Sequence, residues 1–263
     1  MVVKRRAPRC LTIAWTVSIL LTAVFCGPAV GQDDKDLTYP EAAMRAGIQG
    51  AVVLQVDFDE RGRATSSTAL SGLPALTAHS LANLGVWGTG WRSTRQILVY
   101  EYRIEQGLCH DDSQTLTLHR LPGLVSVIAC RRVDADTPPV RAAAATQTGG
   151  EERFKVLRFE DIHYSLPAAA TLRRGVVVVE VTFDEKGSAT SAAARSGPED
   201  LRAAAVENAR RWRFAANPDR KAILVYEFSI DAGACDNSLR SVFLLRHPNF
   251  AATIHCTPIV QTR

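Results

Sequence analysis

Acidic residues are absent from the first 32 positions of this 263-residue chain. Lys4, Arg5, Arg6 and Arg9 stand there unopposed and account for the whole net charge of +4. The rest of the chain carries 27 basic and 27 acidic residues. A neutral body has no electrostatic footprint for a phosphate backbone, which excludes nucleic acid as a partner. Charge of either sign is then missing from positions 10–32, an apolar run that closes in Gly27, Pro28 and "AVG". A basic start, an apolar run and small residues at Ala29 and Gly31 describe an export signal over residues 1–31, with Gln32 as the mature N-terminus. A single-pass inner-membrane anchor is the alternative, because the run is barely long enough to span a bilayer. Membrane contact is expected only if that segment is retained, and in both cases the folded part is periplasmic.

Motifs of catalysis are missing as well. The chain holds no GxSxG, no HExxH, no CxxC and no glycine loop of the kind that cradles phosphate. Asp59-Glu60 and Asp184-Glu185 are paired acids, but they fall in turns, where Asp favours the bend and Glu is merely solvated. His163 stands alone, and Trp212 lies on an apolar stripe. The expectation is a protein without enzymatic activity and without a cofactor.

What the chain does contain is a repeat. "GAVVLQVDFDERGRAT" at Gly50–Thr65 returns as "GVVVVEVTFDEKGSAT" at Gly175–Thr190. In the first, Val52, Leu54, Val56 and Phe58 alternate with Gln55, Asp57 and Asp59. In the second, Val177, Val179, Val181 and Phe183 alternate with Glu180, Thr182 and Asp184. Alternation predicts strands with one buried and one wet face. Each strand ends in a turn, DERG or DEKG, whose Gly62 or Gly187 is expected at positive φ beside a bulge. A weaker strand follows to Ser71-Gly72 or Ser196-Gly197.

A helix comes next, with Ser196 or Gly197 as the expected N-cap and Pro198, Glu199 and Asp200 in its first turn. Leu201, Ala205, Ala209 and Trp212 form its apolar stripe, answered in the first copy by Leu76, Leu84 and Trp87. The first copy then breaks into "GVWGTGW", which predicts a shorter or frayed helix. "ILVYEY" (97–102) and "ILVYEF" (223–228) are third strands, and each copy closes in an additional hairpin. The fold class is α+β: two tandem two-layer domains, each an antiparallel sheet of strand-strand-helix-strand plus C-terminal hairpin, with a helix on one face. The boundaries read 1–31 signal, 32–133 first domain, 134–153 Pro/Ala/Thr/Gly-rich linker, and 154–263 second domain.

Cys109, Cys130, Cys235 and Cys256 remain after the signal, with the same spacing in both copies. In an exported chain that pattern predicts disulfides 109–130 and 235–256, each tying the end of the third strand to the end of the hairpin. Zinc is the alternative, with His110 and His119 in one copy and His247 and His255 in the other. The histidines do not correspond between copies as the cysteines do, so no metal is expected.

Several of these stretches together resemble the C-terminal domain of the TonB energy-transducer family. They are "YPEAAMRAGIQGAVVLQVDFDERGRAT" from Tyr39, the Ser-Gly at 71–72 and 196–197, "GVVVVEVTFDEKGSAT", and "RRWRFAA" from Arg210. The first copy departs by losing Arg-Trp-x-Phe, and the second has Tyr164-Ser165 in place of Tyr39-Pro40. The resemblance implies a non-catalytic module that binds an extended segment of an envelope or outer-membrane protein by strand addition. It would do so at the third strands, through Ile97, Val99, Tyr100, Tyr102, Ile223, Val225, Tyr226 and Phe228. The C-terminal hairpin stands next to that edge and could cover it. A membrane-anchored energy transducer supporting outer-membrane transport is one alternative, against which stand an N-terminal segment without histidine and the lack of a Pro-rich arm before Tyr39. A structural envelope scaffold is the other.

Overall fold

Alternation and turn chemistry are realised in the order expected, in a computed structural model that describes residues 37–87, 94–106, 115–131, 156–162, 171–215, 220–231 and 241–256, with 92, 164 and 168. The signal segment, the linker, Cys109, Cys235, His110 and His163 lie outside the described residues. The first copy runs α1 (Glu41–Arg45), β1 (Gly50–Phe58), β2 (Ala64–Ser71), α2 (Pro74–Ala82), a 3-10 turn at Leu84–Trp87, β3 (Arg95–Gln106), β4 (Thr115–Leu121) and β5 (Leu124–Arg131). The second runs β6 (Val156–Arg158), β7 (Gly175–Phe183), β8 (Ala189–Ser196), α3 (Glu199–Ala209), β9 (Arg213–Phe214), β10 (Lys221–Asp231), β11 (Ser241–His247) and β12 (Phe250–Cys256).

The DERG and DEKG turns share one construction. Asp59 Oδ1 accepts the amides of Arg61 and Arg63 at 2.8 Å, and Asp184 Oδ1 accepts those of Lys186 and Ser188 at 2.9 and 2.8 Å. Gly62 and Gly187 take φ 75° and 77° beside a register shift, as their turn type demands. The expected helix cap is corrected. Ser196 stays in β8, and α3 starts after Pro198 with no side-chain cap, although Glu199 and Asp200 do occupy its first turn.

The sheets have the orders β2-β1-β3-β5-β4 and β8-β7-β10-β12-β11. They are mixed, which corrects the antiparallel expectation. β5 runs parallel to β3, from Val99 opposite Leu124 to Gln106 opposite Arg131, and β12 runs parallel to β10. The chain leaving β3 passes to the far edge to make β4, so the hairpin returns with its second strand innermost. β3 and β10 are therefore interior strands.

On the helix side of each sheet lies a separate core. Val52, Leu54, Val56, Leu98, Tyr100 and Tyr102 pack with Leu76 in one copy; Val177, Val179, Val181, Leu224, Tyr226 and Phe228 pack with Leu201, Ala205, Ala209 and Trp212 in the other. The same Asn-Trp-Tyr trio closes both. In the second copy, Trp212 Nε1 and the Tyr226 hydroxyl both donate to Asn208 Oδ1, at 2.8 and 3.1 Å. In the first, the helix ends at Ala82, and the trio is rewired. Trp87 Nε1 donates to the Tyr100 hydroxyl at 2.6 Å, which donates to the Asn83 carbonyl at 3.3 Å.

The opposite sheet faces are not wet throughout, which is a second correction. Ala51, Val53, Val99 and Leu124 of the first copy share one buried cluster with Val176, Val178, Val225, Phe250 and Ala252 of the second. The two sheets thus pack face to face, as in a sandwich, and the described residues belong to one compact unit. At the rim of this cluster sit charges from equivalent positions of the repeat. Arg120 Nη2 of the first copy donates to Glu227 Oε1 of the second at 2.7 Å. Arg246 of the second copy reaches Glu101 of the first at 3.3 Å and Glu227 at 2.5 Å. Glu101 also accepts the Ser126 hydroxyl at 2.6 Å and has the Arg103 guanidinium at 3.6 Å. Both carboxylates are essentially inaccessible, at 0% and 1% exposure, so each depends on these partners for its charge.

Burial pushes the Glu101 carboxyl up, but the guanidiniums of Arg246 and Arg103 and the Ser126 hydrogen bond bring it below its ordinary value. Burial pushes His247 down to about 4; Glu101 opposes this, and Arg103 and Arg246 add to it.

Removing Arg246 takes a cation from both buried carboxylates, leaving Glu227 with Arg120 and Glu101 with Ser126 and the more distant Arg103. Arg246→Ala is expected to destabilise the fold by about 3–5 kcal/mol in urea unfolding, against less than about 0.5 kcal/mol for the exposed Arg45→Ala. His247 binds its proton less readily folded than unfolded, so its contribution is complete above the unfolded value near 6.5 and is lost as pH falls toward 4. Glu101, depressed below 4.5, loses its contribution as pH falls below that range. Stability should therefore drop by about 3 kcal/mol between pH 7 and 4 from His247 alone. His247→Leu, which installs the residue found at the equivalent Leu121, should flatten that part of the pH curve.

Candidate functional site

The third strands do not present the side chains expected to meet a partner. Tyr100, Tyr102, Tyr226 and Phe228 are buried against the helices, while Val99 and Val225 are buried between the sheets with Ile97 and Ile223 packed against them. Their backbones are paired on both sides, β3 with β1 and β5, and β10 with β7 and β12. A segment added there would first have to displace β5 or β12. The residues expected to meet a partner thus lie on interior strands: sequence propensity identified the strand but not its neighbours.

The edges of the sheets lie elsewhere. β4 pairs only with β5, and β11 only with β12. Among the described residues, no backbone hydrogen bond reaches the outer side of either strand. Such a row of open amides and carbonyls is a template for another strand unless charge, Pro or a bulge blocks it. Neither "TLTLHRL" nor "SVFLLRH" contains Lys or Pro, the one Arg of each is engaged in the buried ion pairs, and the register shift of each falls at its end, between His119 and Leu121 and between Leu245 and His247. Leu116 and Leu118 stand on one face of β4, opposite Ile128 and Ser126, and are 47% and 38% exposed. The equivalent residues of β11 are Val242 and Leu244, the latter also exposed.

The two edges differ in what lies beside them. The Thr117 hydroxyl donates to the Leu37 carbonyl at 2.7 Å, and the Tyr39 amide donates to Thr115 Oγ1 at 3.3 Å, so residues 37–39 run along the start of β4 through side-chain contacts. A hollow of about 470 Å³ opens there between Leu37, Tyr39, Met44 and Leu116. Tyr39 is fixed by its hydroxyl donating to the Ile48 carbonyl at 2.6 Å and by an edge-on contact with Tyr102. Beside β11, Phe159 stacks on Phe243 with ring centroids 5.8 Å apart and reaches Trp212 at 6.1 Å.

The histidines of the metal alternative have unrelated surroundings. His119 meets the Trp87 ring, His247 lies in the buried ion cluster, and His255 meets Tyr164. Cys130 and Cys256 are each disulfide-bonded. Register places Cys130 opposite Glu105 and Cys256 opposite Asp231, at the ends of β3 and β10 from which Cys109 and Cys235 follow within a few residues.

A family model described as Gram-negative bacterial TonB protein C-terminal matches residues 35–88 and 160–230. Both matched segments stop short of the terminal hairpins, so β4, β5, β11 and β12 lie outside them. No curated protein and no solved structure matches the chain.

Proposed function

For a chain that carries two copies of the TonB C-terminal domain, we propose a non-catalytic binding role in the periplasm, in which an extended segment of an envelope or outer-membrane protein is added as a strand to β4 or β11. The domain family is one of binding and energy transduction and not of catalysis. The observation that carries the reading is the pair of outer strands with open backbone and outward leucines, in a fold whose third strands are already taken. Main-chain hydrogen bonds would give such a complex its affinity, and alternate side chains its selectivity.

The scaffold alternative has support of its own. The shared inter-sheet cluster and the buried ion pairs join the copies into one body, as expected of a rigid bridge between envelope components. The transducer alternative depends on residues 1–31 being kept as an anchor. Among the described residues no helix is long and apolar enough to cross a membrane, and residues 1–36 lie outside them.

Hydrogen exchange in the presence of a solubilised outer-membrane fraction tests the binding reading. Residues 115–121 or 241–247 should gain protection, and Leu118→Lys with Leu244→Lys should abolish it while the melting temperature stays unchanged. A fraction that protects neither strand would leave the scaffold reading in possession of the fold. The disulfide pairing of 109 with 130 and 235 with 256 is part of the same export argument. Intact mass of protein taken from the cell envelope should begin at Gln32 and increase on reduction by the hydrogens of both bridges. Replacing Cys130 and Cys109 by Ser should cost roughly 3 kcal/mol of stability.

A further inference from the structure

On one flank of the sandwich, the two sheets part to form a cleft of about 730 Å³. The first copy contributes Gln55, Arg95, Gln96 and Ile97 to its wall; the second contributes Arg174, Arg195 and Arg202. Four arginines line this space, and among the described residues no acidic side chain does. Two of the four have carboxylate partners just outside. Arg95 is bound to Asp57 at 2.6 and 3.3 Å, and Arg195 stands 3.8 Å from Glu180. Arg174 and Arg202 have no ion-pair partner among the described residues. The Arg202 Nε donates to the Gly197 carbonyl at 2.7 Å, which fixes the side chain and leaves its terminal nitrogens free to donate. The cleft therefore carries an excess of two positive charges.

The duplication supplies an internal control. The offset that aligns Gly50 with Gly175 aligns Arg174 with Gln49, Arg195 with Leu70 and Arg202 with Thr77. All three arginines of the second copy thus have neutral counterparts at the same positions of the same fold. The sheet and its turn form in the first copy without them, and so does a helix, if a shorter one, so folding does not require these charges. Gathering like charges at one junction costs self-repulsion, and an anionic ligand would offset that cost.

We propose that this cleft binds a phosphate-bearing anion, with Arg174 and Arg202 as its principal donors and Arg95 and Arg195 held in place by Asp57 and Glu180. Planar guanidiniums match phosphate oxygens through paired hydrogen bonds, which a single ammonium cannot do. The apolar wall of Ile97, Val176, Pro122 and Pro198 admits a ligand whose phosphate is attached to a less polar body. The same chemistry is offered by a free phosphorylated solute and by the head group of an anionic lipid.

Calorimetric titration of the exported chain with inorganic pyrophosphate, and flotation with phosphatidylcholine vesicles with and without phosphatidic acid, both at about 0.15 M salt, test this. Saturable binding to either probe is expected, weakened about tenfold or more by Arg174→Gln and by Arg202→Thr, roughly the loss of one charge-assisted hydrogen bond. These variants install the first copy's own residues, so the fold is retained. The exposed Arg45→Gln should leave binding unchanged. Pyrophosphate binding without vesicle binding assigns a soluble ligand, and vesicle binding that requires phosphatidic acid assigns the lipid head group. No saturable binding to either probe, or equal weakening by Arg45→Gln, overturns the proposal.

Discussion

Two buried carboxylates set the relation between the copies. Glu101 and Glu227 occupy the same position of the repeat, each inside the central strand of its sheet. A carboxylate withdrawn from water there is tolerable only beside a cation. The cations come from Arg120 and Arg246, again equivalent positions: Arg120 crosses to Glu227 of the other copy, and Arg246 bridges Glu101 of the other copy and Glu227 of its own. The apolar cluster between the sheets supplies the driving force for packing, but such faces could meet in several rotations and registers. The crossing ion pairs are satisfied in one of them. Their value lies in specifying that arrangement more than in stabilising it, since buried pairs seldom exceed their desolvation cost.

Once the sheets are face to face, the remaining geometry follows. Their inner faces are closed, and their outer faces are covered by α1 and α2 or by α3. Among the described residues, the strand edges and the cleft on the flank are left to meet other molecules. The hairpins then decide which edges these are. By inserting β5 beside β3 and β12 beside β10, the chain supplies its own added strand to the position where a partner's strand was expected, and passes the open edge outward to β4 and β11. The chain completes its sheets internally, and its open edges are strands that the matched TonB segments do not include.

Much of this was legible in the sequence. The period-two pattern located β1 and β7, the turn aspartates and glycines located the bends, and the interruption after Trp87 foretold the short α2. What stayed hidden depended on contacts between distant residues. The parallel course of β5 leaves no trace in alternation, which reports the faces of a strand and not its neighbours. The second buried face did leave traces. "GAVVL" and "GVVVV" are continuous apolar runs at the starts of β1 and β7, the mark of strands covered on both sides. A Glu repeated inside ILVYE, together with an Arg repeated before each hairpin turn, is also a pattern no solvated strand requires. Its meaning emerges only when residues 107 and 145 positions apart are brought together.

Duplication separates what the fold needs from what it allows. The apolar faces, the turn aspartates, the Glu and Arg of the interface and the Asn-Trp-Tyr trio occur in both copies, because each closes a core or neutralises a buried charge. Other features occur once. Among the described residues, Phe214 packs on Phe183 and β9 pairs with β6 in the second copy, where the Arg-Trp-x-Phe ending survives. Arg103 supports Glu101, whereas its counterpart Ser229 accepts the Tyr164 hydroxyl at its carbonyl. A pair of domains locked through a shared interface can lose such a feature in one copy, because the other half of the sandwich still holds it in register. That freedom is confined to the flanks and edges, where the two copies of this chain have diverged.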